Sequence, residues 1–141
     1  MSRMSSMSLI ALLSGLVALA GPTAAAAAGA DWRVELALAV DGEPVGNPVL
    51  GLRAGEPARI ELAAGARGYR LEARVEEVAD APGQADLSAR LWWRDGTGQW
   101  RAAGSPQVRV EAGQPFSVAL ADGEGRGYRL AGTVARLPPG G

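Results

Sequence analysis

From residue 31 onward the apolar positions of the chain alternate with polar or small ones. Val34, Leu36, Leu38 and Val40 fall on one side of a strand and Arg33, Glu35, Ala37 and Ala39 on the other. Tyr69, Leu71, Ala73 and Val75 repeat the pattern against Arg70, Glu72, Arg74 and Glu76. Side chains of a strand point alternately to its two faces, so this is the signature of half-buried antiparallel sheet. Shorter runs surround the turns RAGEP and EAGQP: Leu50 and Leu52 before Ala58, Ile60 and Leu62, then Val108 and Val110 before Phe116, Val118 and Leu120. Gly55 and Gly113 suit the positive φ of such turns, and Pro57 and Pro115 open the next strand where no ladder donor is lost. No window beyond residue 28 has helical spacing.

The same landmarks occur twice. RGYRL stands at residues 67–71 and 126–130, and the segments upstream, 48–62 and 106–120, align without a gap. Pro48 matches Pro106, Ala54 matches Ala112, Gly55 matches Gly113, Pro57 matches Pro115 and Leu62 matches Leu120. Further upstream VELALAV (34–40) matches LSARLWW (87–93) in pattern. The order of landmarks predicts an all-β chain, an antiparallel β-sandwich of about eight strands built from two tandem copies of a four-strand meander. The copies cover about 32–78 and 86–137; a unit of about 45 residues buries too little to stand alone, so 29–141 is read as one domain. The turn-rich segment 77–86, with Pro82-Gly83, divides the copies. In this reading Gly68 and Gly127 let the chain leave the preceding turn. Tyr69 and Tyr128 start the inward face, each hydroxyl reaching solvent or a backbone carbonyl.

Upstream of the alternation the pattern changes. Arg3 lies in a short polar lead, residues 9–20 form an apolar run, and Gly21-Pro22 and an alanine-rich stretch follow. A charged start, a short apolar run and a small-residue cleavage region describe a secretory signal peptide over residues 1–28, with cleavage between Ala26 and Ala30. The run is shorter than the ~20 residues a bilayer-spanning helix needs, so no stable membrane anchor is expected. The expected location is periplasmic or secreted.

Composition then narrows the chemistry. The chain has no cysteine, so it has neither a lipid-modified cysteine nor disulfide staples. It has no histidine or lysine; removing Arg3 with the leader leaves 13 of its 14 arginines against 15 acidic residues. A balanced surface exerts no long-range pull on nucleic acid or anionic lipid. Without histidine, cysteine or lysine there is no Ser-His or Cys-His nucleophile, no imidazole or thiolate metal site and no Schiff-base lysine. Glu76, Glu77, Asp80 and Asp95 are the nominal carboxylates for glycoside hydrolysis, but strand edges and turns explain them equally. DGEGRG (122–127) and RDGTG (94–98) lack the Asp-x-Asp-x-Asp-Gly spacing of a calcium loop and suit hairpin turns. The expectation is a protein that is not an enzyme and carries no cofactor or metal.

The copies differ most in their first hairpin. Residues 41–47 of the first become residues 94–105 of the second, five residues longer, with Trp100 in the added length. If Trp93 takes the inward place of Val40, alternation turns Trp92 outward. Trp92 and Trp100 with Arg94 and Arg101 are therefore the candidate binding residues. The bland alternative is that the two tryptophans cover a sheet edge or pack on each other. Three functional readings follow: an exported interaction or envelope-assembly module with an envelope or secreted protein as partner; a domain that resembles a carbohydrate-binding module and stacks a glycan on its tryptophans; or a structural accessory protein without a discrete ligand.

Overall fold

The structure is a computed structural model that describes residues 24–26 and 29–138. The apolar run at 9–20 and most of the predicted signal peptide lie outside the described residues. Eleven strands follow in order: β1 (Ala24–Ala26), β2 (Trp32–Val40), β3 (Glu43–Gly46), β4 (Val49–Leu52), β5 (Ala58–Ala64), β6 (Arg67–Glu77), β7 (Gln84–Arg94), β8 (Trp100–Gly104), β9 (Gln107–Glu111), β10 (Phe116–Ala121) and β11 (Gly127–Arg136). The described residues contain no helix, and so none long and apolar enough to cross a membrane.

The strands form two sheets. In the five-stranded sheet the order is β5-β6-β7, with β8 and β9 end to end along the far edge of β7. In the six-stranded sheet the order is β10-β11-β2, with β3 and β4 end to end along β2 and β1 added beyond β4. Every pairing is antiparallel except β1 with β4. The two interrupted strands break at Asn47-Pro48 and Ser105-Pro106, where proline offers the ladder no donor. Its carbonyl still serves: Leu36 N donates to Pro48 O and Ala89 N to Pro106 O, both at 2.9 Å. A bulge follows at matching places, between Leu38 and Ala39 and between Leu91 and Trp92.

The chain changes sheet twice, at RAGEP and at EAGQP. Both turns have a positive-φ glycine, Gly55 at 78° and Gly113 at 83°, as their sequence predicts. Gly55 N donates to Val75 O and Gly113 N to Val134 O, tying each crossing to the end of a long strand. The expected meander is therefore split: strands on either side of these turns lie in different sheets, because the turn carries the chain across the core instead of folding it back in plane. Residues 77–86 stay within one sheet. Val78 to Gly83 close a hairpin that joins β6 to β7 in one sheet, and Gln84, Ala85 and Asp86 already belong to β7.

The two long strands that carry GYRL, β6 and β11, each pair with the other half of the chain. Tyr69 lies opposite Trp93 and Leu71 opposite Leu91; Tyr128 lies opposite Val40 and Leu130 opposite Leu38. The sheets pool their inward residues in a single core that includes Trp32, Val34, Leu38, Leu50, Leu71, Leu91, Trp93, Leu130 and Val134. Burial follows the predicted alternation closely in β2 and β6. It relaxes in β10, where Phe116, Val118 and Leu120 are only half-buried because β10 is an edge. Two glycines let the sheets approach at their rims: a Cβ on Gly46 would meet Leu62 at 3.3 Å, and one on Gly104 would meet Leu120 at 2.2 Å.

Two local expectations change. The first hairpin loop is only Asp41-Gly42, with φ of 51° and 84°, the paired positive values of a type I′ turn. Residues 43–46 are thus strand, not loop. The glycines that turn the chain before each RGYRL are Gly65 and Gly125, at φ 64° and 84°, so Gly68 and Gly127 are free for other roles.

Candidate binding face

Trp92 points away from the core on β7, between the buried Leu91 and Trp93, as alternation predicts. Its neighbours across the outer face of the five-stranded sheet are set by register. Arg70 lies opposite Trp92, and Glu61 opposite Arg70; one step along, Glu72 lies between Arg59 and Arg90; one step the other way, Gly68, Arg94 and Trp100 align. Three arginines surround the Trp92 ring, with guanidinium carbons at 5.5 Å (Arg59), 6.0 Å (Arg70) and 5.8 Å (Arg90) from its centroid. Two more contacts hold Trp100, Arg70 at 4.2 Å and Arg94 at 4.6 Å. Arg70 serves both rings, so the tryptophans are linked through a guanidinium.

Each arginine is attracted by the negative face of the indole, worth about 0.5–1 kcal/mol at an exposed site. Carboxylates fix most of them in place. Arg70 donates from Nε and Nη2 to Glu61 Oε2 at 3.3 and 3.1 Å, and Glu72 accepts from Arg59 at 3.4 Å and lies 3.7 Å from Arg90. Arg94 has no carboxylate within 4.0 Å among the described residues. Gly68 makes room for this arrangement. A Cβ there would meet Arg94 Nη2 at 3.1 Å and Trp100 Cη2 at 3.4 Å, so both side chains lie across β6 where a larger residue would lift them.

The face continues beyond the rings as a shallow depression over Ser88, walled by Arg74, Arg90 and Gln107. It runs on to Glu76, Asp86 and Arg109, where Arg109 Nε donates to Asp86 Oδ1 at 2.8 Å. That hydrogen bond, with the Arg109 charge behind it, holds the Asp86 carboxyl below the ordinary aspartate range.

Arg101 does not join the candidate face. Being opposite the inward Trp93, it turns to the rim of the sandwich, 5.5 Å from the Trp93 ring, and donates to Glu124 at 3.2 Å. There it meets a second cluster, at residues 122–127, whose sequence suits a hairpin turn. Arg126 stacks at 3.9 Å on Trp93, and the Asp122 side chain, 2 % exposed, accepts hydrogen bonds from Tyr128 Oη at 2.8 Å, Glu124 N at 2.9 Å and Arg126 N at 3.0 Å. Burial alone would raise the Asp122 pKa, but these donors and the Arg126 charge outweigh it and hold it low. Burial also pushes the Tyr128 phenol up to about 12, with the Asp122 carboxylate adding to the shift. The Tyr128 hydroxyl therefore reaches a carboxylate, not the solvent or backbone carbonyl expected from sequence.

The nominal catalytic carboxylates do not converge. Glu76 lies 3.8 Å from Arg74 on the outer face, Glu77 pairs with Arg136, and Asp95 accepts from Thr97 N and Oγ1 at 2.8 and 2.6 Å. Among the described residues no group of three or more acidic side chains could hold a metal ion. No known family matches the sequence, and no curated protein or solved structure is significantly similar to it.

Proposed function

We propose that this chain is an exported, non-enzymatic interaction module: a β-sandwich of two tandem copies, released from its leader by cleavage between Ala26 and Ala30, that binds an acidic surface of an envelope or secreted protein. The observation that carries this reading is the outer face of the five-stranded sheet, where two tryptophans are fixed among four arginines with only Glu61 and Glu72 to offset them. Tryptophan and arginine are the residues that dominate binding energy at protein interfaces, and rings already held in place lose little freedom on binding. Arg94, charged and lacking a carboxylate partner, supplies the unmatched donor for a partner's acidic group.

The same geometry weighs against a glycan as ligand. A sugar ring needs an open indole face, and here guanidinium groups lie over both rings. The duplication is supported by paired details: the proline carbonyl bonds, the bulges, the glycine-to-long-strand bonds and the tyrosine registers all recur in both halves.

The test is affinity capture from a cell-envelope extract with the chain beginning at Ala30, beside its Trp92→Ala and Arg129→Ala forms and a parallel peptidoglycan and polysaccharide pull-down. Arg129 is exposed on the outer face of the opposite sheet. A protein retained by wild type and Arg129→Ala but lost with Trp92→Ala supports the reading. Retention on glycan alone, or loss only with Arg129→Ala, overturns it.

A further inference from the structure

The two halves leave equivalent sheet edges that are protected in different ways. On the five-stranded sheet the edge is β9, whose outward residues Gln107, Arg109 and Glu111 are polar or charged, with Arg109 locked to Asp86. Charge along an edge strand opposes the addition of a foreign strand. The matching edge of the six-stranded sheet is β4, Val-Leu-Gly-Leu, which carries no charge at all. Its protection is another strand: residues 24–26 lie parallel along it, Ala24 opposite Val49, Ala25 opposite Leu50 and Ala26 opposite Gly51.

The ladder phase tells which backbone groups this strand covers. Leu36 N donates to Pro48 O, so in the antiparallel pair the bonding groups of Pro48 and Leu50 face β2 and those of Val49 and Gly51 face the outer edge. An N–H and a C=O at each of these two positions need a partner once β1 is gone. Those covering residues lie upstream of the predicted cleavage region. The leader's alanines thus close an edge that processing would open.

We propose that the outer edge of β4 is a strand-acceptor site, plugged before processing by the chain's own residues 24–26, and that in the processed protein it takes up an extended, uncharged small-residue segment of a partner protein in parallel register. The seated segment, three alanines in parallel register, defines the occupant by its backbone: main-chain hydrogen bonds along Val49, Leu50 and Gly51 hold it. The site lies on the opposite sheet from Trp92. It rests on the export reading for its opening, but not for its capacity to bind a strand.

The experiment is an NMR titration of the peptide GPTAAAAAGA, residues 21–30, into two chains, one beginning at Ala30 and one at Gly21 that retains β1. All core residues among those described lie within both chains. With the Ala30 chain the Val49 and Gly51 amide signals move saturably and their hydrogen exchange slows, while the Gly21 chain binds at least about tenfold more weakly. Gly51→Pro, which removes an edge-facing N–H without touching the β2 ladder, abolishes the response with its amide spectrum otherwise folded. Equal binding by both chains, no response in the Ala30 chain, or a response that survives Gly51→Pro overturns the acceptor site. Dimerisation of the Ala30 chain that Gly51→Pro prevents would make a second copy the occupant and overturn the partner assignment. N-terminal sequencing of the exported protein tests the opening step separately: a start upstream of Ala24 contradicts processing as the trigger and leaves the titration readable.

Discussion

Gly132→Ala is the sharpest perturbation of the sheet arrangement, because Gly132 lies against the backbone of a paired strand. Gly132 lies on β11 opposite Leu36 of β2. A Cβ at this position would lie 1.8 Å from Glu35 O, 2.8 Å from Glu35 C and 3.0 Å from Leu36 Cα. Those are backbone atoms of a paired strand, so no side-chain rotation relieves the contact. Restoring an ordinary separation moves β11 from β2 by over an ångström, which stretches the hydrogen bonds that join these two strands. Overpacking of a core usually costs about 1–3 kcal/mol, and a clash with backbone belongs at or above the top of that range. We expect about 3 kcal/mol or more, roughly a 12 °C or greater fall in Tm for a domain of this size. Ala73→Gly, the reciprocal change on β6, should cost only about 1 kcal/mol, from backbone entropy and one lost methyl. Urea unfolding followed by far-ultraviolet circular dichroism, with unchanged m-values, measures both. Equal costs, or a Gly132→Ala effect within about 0.5 kcal/mol, would refute the close approach of β11 to β2.

Four other outcomes follow from named contacts. Trp32 Nε1 is buried without an acceptor among the described residues, so Trp32→Phe trades lost ring volume against a relieved polar group and should stay within about 1 kcal/mol of wild type by urea unfolding. Arg70→Ala removes the guanidinium shared by both rings and by Glu61 and should cost about 1–2 kcal/mol, whereas Arg90→Ala, more exposed, should cost about 0.5 kcal/mol or less. The Asp122 pKa is depressed on folding, so its contribution is complete above the unfolded value of about 3.9 and is lost as pH falls below that; Asp122→Asn should flatten this acid limb in a stability-versus-pH series. The Tyr128 pKa is raised, so stability falls from about pH 10, where the unfolded phenol ionises, to about 12; Tyr128→Phe should remove that alkaline loss.

Strand positions were legible from sequence because alternation depends only on which face each residue presents. β2, β6 and β7 show it most clearly, and the inward Trp93 and outward Trp92 follow from it directly. The path between sheets was not legible. RAGEP and EAGQP have the same residues whether the chain folds back in plane or crosses the core; what decides is the bond from Gly55 to Val75 and from Gly113 to Val134, made by residues about 20 positions apart. The hairpin register separates Arg101 from Trp100, since Arg101 lies opposite the inward Trp93 and Trp100 opposite Arg94, a pairing that sequence alone does not show. The shared role of Arg70 is not legible in sequence because only the β6–β7 register brings it opposite Trp92, 22 positions away.

The most direct test of the interaction face is oxidative footprinting of the chain alone and bound to its captured protein partner. Trp92 and Trp100 should lose reactivity together on binding, while Phe116 on the edge of the opposite sheet keeps its own. Unchanged reactivity at both tryptophans, with protection at Phe116 instead, would contradict it and move the partner to the other sheet.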